Sequence, residues 1–165
     1  MTAAAGSISG LTKAQRIEAR HIIRAAALDL LKVPDKVHYT EGPHRWDAII
    51  RRADAAKGEL LHHGDCSSTT TWLVAQALLL KFGLKDNVNG SDWKSGFTGT
   101  ECEHGRQVLH LKNTIYTDLI FYGEGPPFDH VAMFMGRKDG VPLVFSHGSE
   151  GGPYLAPYNY RDDVA

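Results

Sequence analysis

Residues 72–82 read Trp-Leu-Val-Ala-Gln-Ala-Leu-Leu-Leu-Lys-Phe, and this run constrains the fold more than any other stretch. A helix is expected from Cys66 to about Phe82, closed by Gly83 where a left-handed C-terminal cap is favoured. Trp72, Leu73, Val74, Ala77, Leu78, Leu79 and Leu80 leave that helix little polar surface, so the rest of the chain has to enclose it on most sides. With 165 residues, 42% of them hydrophobic, the chain can do so within one domain over residues 1–165.

The enclosing elements are legible as helix first and strands last. From Leu11 to Leu31, Ala14, Ile17, His21, Ala25 and Leu28, widened by Ile22 and Leu31, recur at helical spacing, with Lys13, Arg16, Arg20 and Arg24 as a solvated basic stripe. Val33-Pro34-Asp35 ends this N-terminal helical region, residues 1–36. The stretch VHYTEGPHRWDAII starts extended and turns at Gly42-Pro43. It then carries Trp46, Ile50 and Ala53 on a short helix stopped by Gly58. Residues 85–105 are rich in Gly, Asn, Asp, Ser and Thr without a sustained period, as in a long loop or lobe. Three β-like runs follow, TIYTDLIFYG, DHVAMFMG and VPLVFSHGS, the last two joined by the turn Arg137-Lys138-Asp139-Gly140. The C-terminal EGGPYLAPYNYRDDVA reads as extended rather than regular. The class is α+β.

Cys66 stands where the polar run HHGD gives way to the buried helix. A helix start offers unpaired N–H groups and a partial positive charge, both of which favour a thiolate over a thiol, and a nearby imidazolium would add to that. The Cys66 N–H would also face the oxygen of a carbonyl attacked by its sulfur. Asp65 is the natural N-cap for Ser67 or Ser68, or a contact for a cationic substrate group, and its charge works against the thiolate. Cys102 is the other cysteine, and two free thiols are the simpler reading.

The hairpin offers the imidazole. If Gly136 and Val141 face each other across a four-residue turn, His130 falls opposite His147, Ala132 opposite Phe145 and Phe134 opposite Leu143. Directly opposed side chains have Cβ atoms roughly 5 Å apart. A slip of one residue would send the two histidines to opposite faces.

A formal net charge of −1 and a pI near 6.7 give no global attraction to nucleic acid or anionic membrane. MTAAAGSISGLTKAQR lacks the charged and apolar regions of a secretion leader, and no run approaches a membrane span. The expectation is synthesis in the cytoplasm without a signal peptide and no membrane insertion.

DCSS opening an apolar helix, then TDLIFY, HVAMFMG and VFSHGSEGGP in that order, resembles the NlpC family of papain-like cell-wall cysteine peptidases. HYTEGPHRW and FTGTECEHGR are similar to the members found in endolysins of phages that infect actinobacteria, so the resemblance covers about residues 37–161, the catalytic region. It implies a papain-like fold, with the nucleophile's helix packed on an antiparallel sheet that carries the base. The activity implied is bacteriolytic hydrolysis of peptidoglycan stem peptides, commonly between D-glutamate and the diamino acid, without a cofactor or metal, after release by a holin-like partner. By motif, Cys66 is the nucleophile, His130 the general base and His147 the residue orienting it. Tyr39 helps hold the oxyanion, Asp65 contacts the stem's free amine with Ser67 beside it, and Trp93, Phe97 and His104 wall the cleft. The interval from Tyr39 to Cys66 is longer than usual, and YTEG departs from the family's double glycine.

Three other readings stay open. A zinc-dependent N-acetylmuramoyl-L-alanine amidase could draw on His62, His63, Asp65, Cys66, Cys102, His104, His110, His130 and His147, although no tight metal signature is formed. A CHAP-like amidase would use the same thiol logic on another bond. A noncatalytic wall-binding or tail-structural module would use none of it.

Overall fold

The computed structural model describes residues 3–6, 10–50, 60–108, 110–149 and 151–162. Helix α1 (Lys13–Leu31) opens at Thr12, whose hydroxyl accepts from the Gln15 N–H while the Gln15 side chain returns to the Thr12 N–H. It buries Ala19, Ile23, Ala27 and Leu30, not the expected stripe; Ile17 and Leu28 are exposed. The chain is apolar on two sides here. The side with alanines at 19 and 27 wins because it lets α1 approach α2 (Cys66–Leu78) closely. Arg20 also leaves the expected solvated stripe, pairing with Asp118 at 2.9 Å and donating to the Tyr116 carbonyl at 2.7 Å.

Helix α2 is enclosed as its composition demands, with eleven of its residues buried, from Cys66 through Leu78. Its regular part ends earlier than expected, at Leu78. Turns then carry the chain to Gly83, whose φ of +62° and the bond from Leu84 N–H to the Leu78 carbonyl complete the stop.

The helices pack on a six-stranded antiparallel sheet of order β4-β1-β5-β6-β7-β8. The strands are β1 (Ala3–Gly6), β4 (Gly105–Val108), β5 (Leu119–Tyr122), β6 (His130–Lys138), β7 (Val141–Ser146) and β8 (Tyr154–Pro157). One face, bearing Leu119, Phe121, Val131, Met133 and Phe145, joins the helical core. The other, bearing Ile120, Tyr122, Ala132, Phe134, Val144 and Ala156, is covered by Tyr154, Tyr158 and Tyr160 of the C-terminal stretch. That stretch is therefore partly regular, as β8. A separate two-stranded parallel pair joins β2 (His38–Tyr39) to β3 (His63–Gly64). Residues 47–50 are helical and bury Ile49 rather than Ile50; Ala53 and Gly58 lie outside the described residues.

The lobe after α2 contains a helix the sequence hides, α3 (Thr98–His104). It is organised by buried carboxyls. Asp86 accepts from the N–H groups of Val88, Asn89, Ser91 and Trp93. Glu101 accepts from the hydroxyls of Thr70 and Thr71. Among the described residues no helix is long and apolar enough to cross a membrane.

Candidate active site

Asp65 caps α2 as its residue type predicts. Its Oδ1 accepts from the Ser68 N–H at 2.7 Å and from the Ser67 hydroxyl at 3.2 Å, and its Oδ2 is ion-paired with Arg45. Both oxygens are thus engaged within the protein, and Ser67 is buried on Asp65 rather than lining a cleft. Arg45 is the residue that sequence reasoning missed; its position in the turn Pro43–Trp46 gave no sign of the pairing.

The parallel pair β2–β3 resolves the long interval before the thiol. Tyr39 pairs with Gly64, two residues ahead of Cys66, so residues far apart in sequence stand side by side just before the thiol. The Tyr39 ring stands edge-on to His147, centroids 5.9 Å apart. Its hydroxyl donates to Glu41 at 2.8 Å, and burial together with that carboxylate holds the phenol above its ordinary value. It stands against His147 as a neutral group. Trp93, by contrast, is a core residue of the lobe, 3% exposed, with its indole N–H on the Leu84 carbonyl at 3.1 Å; it does not wall a cleft. From the same lobe Phe97 is exposed, His104 donates from Nδ1 to the Thr100 carbonyl, and Thr98 reaches the sulfur, Oγ1 to Sγ 3.8 Å.

Cys66 is buried, and that reverses the expected electrostatics. Burial, then the charges of Asp65 and Glu101, push the thiol up to about 11, against the Val131 N–H and the Thr98 hydroxyl, which favour the anion. The resting sulfur is a thiol at neutral pH.

The hairpin corrects the histidine pairing. β6 and β7 turn through only two residues, Asp139 (φ +52°) and Gly140 (φ +81°), so Lys138 faces Val141. A bulge between Phe134 and Gly136 shifts the register again, leaving Met133 opposite Phe145 and Phe134 opposite Val144. Continued to the strand ends, this register sets Val131, not His130, across from His147. The two histidines therefore belong to opposite faces. His147 is on the helix side, its Nδ1 2.8 Å from the Thr69 hydroxyl, one turn along α2 from Cys66. His130 lies with Tyr122 and Tyr160, its Nε2 2.9 Å from the Ser146 hydroxyl, which is itself 2.9 Å from the Tyr160 hydroxyl.

His130 is nonetheless tied to the sulfur through the backbone. The N–H that favours the Cys66 anion belongs to Val131, the next residue, whose Cα is about 3.8 Å from that of His130. The start of β6 thus abuts the start of α2. Among the described residues, no three His, Cys, Asp or Glu side chains are grouped so that they could hold a metal ion. No protein-family model matches the chain, and no match is found among curated proteins.

Proposed function

We propose that this chain is a cysteine hydrolase of wall peptidoglycan, cutting a stem-peptide bond of the D-glutamyl–diamino acid kind. The observation that carries the thiol chemistry is the meeting of two element starts: Cys66 at the head of α2 stands close enough to the Val131 N–H for that group to favour its anion, with His130 next to Val131 in the chain. The choice of substrate rests on the ordered DCSS, HVAMFMG and VFSHGSEGGP motifs.

In this reading the sulfur, which stands by the Val131 N–H at the end of the sheet rather than over its helix face, is met by His130 from the far face: Cys66 attacks the amide carbon as His130 takes the thiol proton on Nδ1, with Nε2 held by Ser146 and, through it, Tyr160. Ser146 therefore has the orienting role that the motif assigned to His147. The oxyanion is met by the Cys66 N–H, since the Ser68 N–H is already taken by Asp65. His130 returns its proton to the leaving amine, then activates the water that hydrolyses the thioester.

The test is a digest of purified actinobacterial wall, read by mass spectrometry beside a Cys66→Ala control. New free amino groups on the diamino acid, absent from the control, are expected. Release of muramic acid from L-alanine would point to a CHAP-like amidase. Activity lost to a chelator and untouched by alkylation would point to a zinc amidase, and an unchanged wall to a binding module.

A further inference from the structure

Roughly two to three turns down α2 from the sulfur, Val74 and Leu78 form one wall of a recess that opens to solvent. Ile23 of α1, Val88 of the lobe and Leu119 of β5 supply further apolar lining, and the polar lining includes Arg20, Asp118, His104 and Glu101. The lining, apolar walls with a few placed polar groups, is of the kind that small-molecule sites use.

Glu101 is the unusual member. It is 2% exposed, and its Oε1 already accepts from Thr70 at 2.7 Å and Thr71 at 3.0 Å. Its Oε2 is buried and has no hydrogen-bond partner among the described residues. A buried carboxyl oxygen left so is costly unless something completes it. Two hydroxyl donors on Oε1 make that oxygen the acceptor and leave Oε2 to carry a proton, or to meet a cation in its place. Arg20, the nearest guanidinium in the lining, is engaged by Asp118, Tyr116 and Thr117.

We propose that this recess is a second binding site, separate from the thiol, for a small organic cation: an ammonium that meets the Glu101 carboxyl, carried on a short aliphatic body that fills the apolar walls. The carboxyl would give up its proton as the cation arrives, because burial holds it well above its ordinary range. The charged or titratable groups around it are Asp65 and Cys66 at the head of α2, Asp86 in the lobe, His104 on α3, Arg20 on α1 and Asp118 before β5. Occupancy bears on α2, since the Thr70 hydroxyl is shared between Glu101 and the Cys66 carbonyl at 3.0 Å.

The experiment is titration calorimetry of the full chain with n-butylammonium, beside n-butanol and butyrate, between pH 5 and 8. Saturable binding of the amine alone is expected, tightening with pH by up to about tenfold per unit with release of a proton. Glu101→Gln, which keeps an acceptor for the two threonines, should lose that binding. Val74→Phe, which fills the recess from α2, should lose it as well, while Cys66→Ala should retain it. Equal binding of butanol or butyrate, binding undiminished in both Glu101→Gln and Val74→Phe, or no saturable binding at millimolar amine would overturn the proposal. None of these readouts depends on wall cleavage, so the recess and the thiol stand or fall separately.

Discussion

At the thiol, proximity to a helix start and burial pull in opposite directions, and burial wins. With the Cys66 thiol raised to about 11, the sulfur is not stored as an ion pair, and the proposed reaction requires its activation in the act of attack. The rate of Cys66 alkylation by a small uncharged reagent should therefore climb through neutral pH toward pH 11; a plateau already reached below pH 7 would contradict this. Ser146 and His147 can be separated in the same way. Ser146→Ala should cut kcat by about 10- to 100-fold, the worth of one hydrogen bond to a charged group, and shift the pH–rate limb that reports His130. His147→Ala should leave that limb in place, because its ring is held by Thr69 and Tyr39 on the other face of the sheet. Cys66 and the capping role of Asp65 were legible because both follow from the junction of a polar run with an apolar helix. Trp93 was not: an aromatic in a Gly- and Ser-rich stretch looks exposed, and only the Asp86 carboxylate, gathering N–H groups from four residues, shows that the stretch is a folded lobe with its own core.

Among the elements, β6 and β7 show how a correct strand assignment can coexist with a wrong pairing. Asp139-Gly140 is a strong two-residue hairpin signal, but treating Arg137 and Lys138 as part of the turn moved the ladder, and Gly136, whose φ of +114° sits at the bulge, is the sign of that bulge rather than the edge of the turn. A helix with alanines on several sides likewise leaves its buried face undetermined until its neighbour is known, as α1 illustrates. The short helix α3 escaped notice because Thr98-Gly-Thr-Glu-Cys-Glu-His carries no apolar period. Where elements meet, tolerances are small. A Cβ on Gly152 would stand 2.2 Å from the Pro34 carbonyl oxygen, where the C-terminal stretch crosses the exit from α1. Gly152→Ala should thus lose about 1–3 kcal/mol in urea unfolding, whereas Gly125→Ala, which meets no atom within 4 Å there but has a φ of +155°, should be limited to backbone strain.

For the molecule as a whole, Glu101 links stability to pH. Its carboxyl keeps its proton in the folded state at pH values where the unfolded chain has given it up, so the contribution is complete below the ordinary carboxylate range and is lost as pH rises toward the folded value. Unfolding free energy measured from pH 4 to 8 should fall with pH, and Glu101→Gln should flatten the curve; an unchanged slope in that variant would assign the pH dependence elsewhere. The six-stranded sheet carries one more implication. β4 follows directly from α3, and its described pairing to the sheet is through β1, which also bonds β5. Residues 3–6 are thus a clasp between the body of the molecule and the lobe that leans Thr98 on the sulfur. Trimming that clasp is expected to loosen the surroundings of Cys66 from a distant part of the chain.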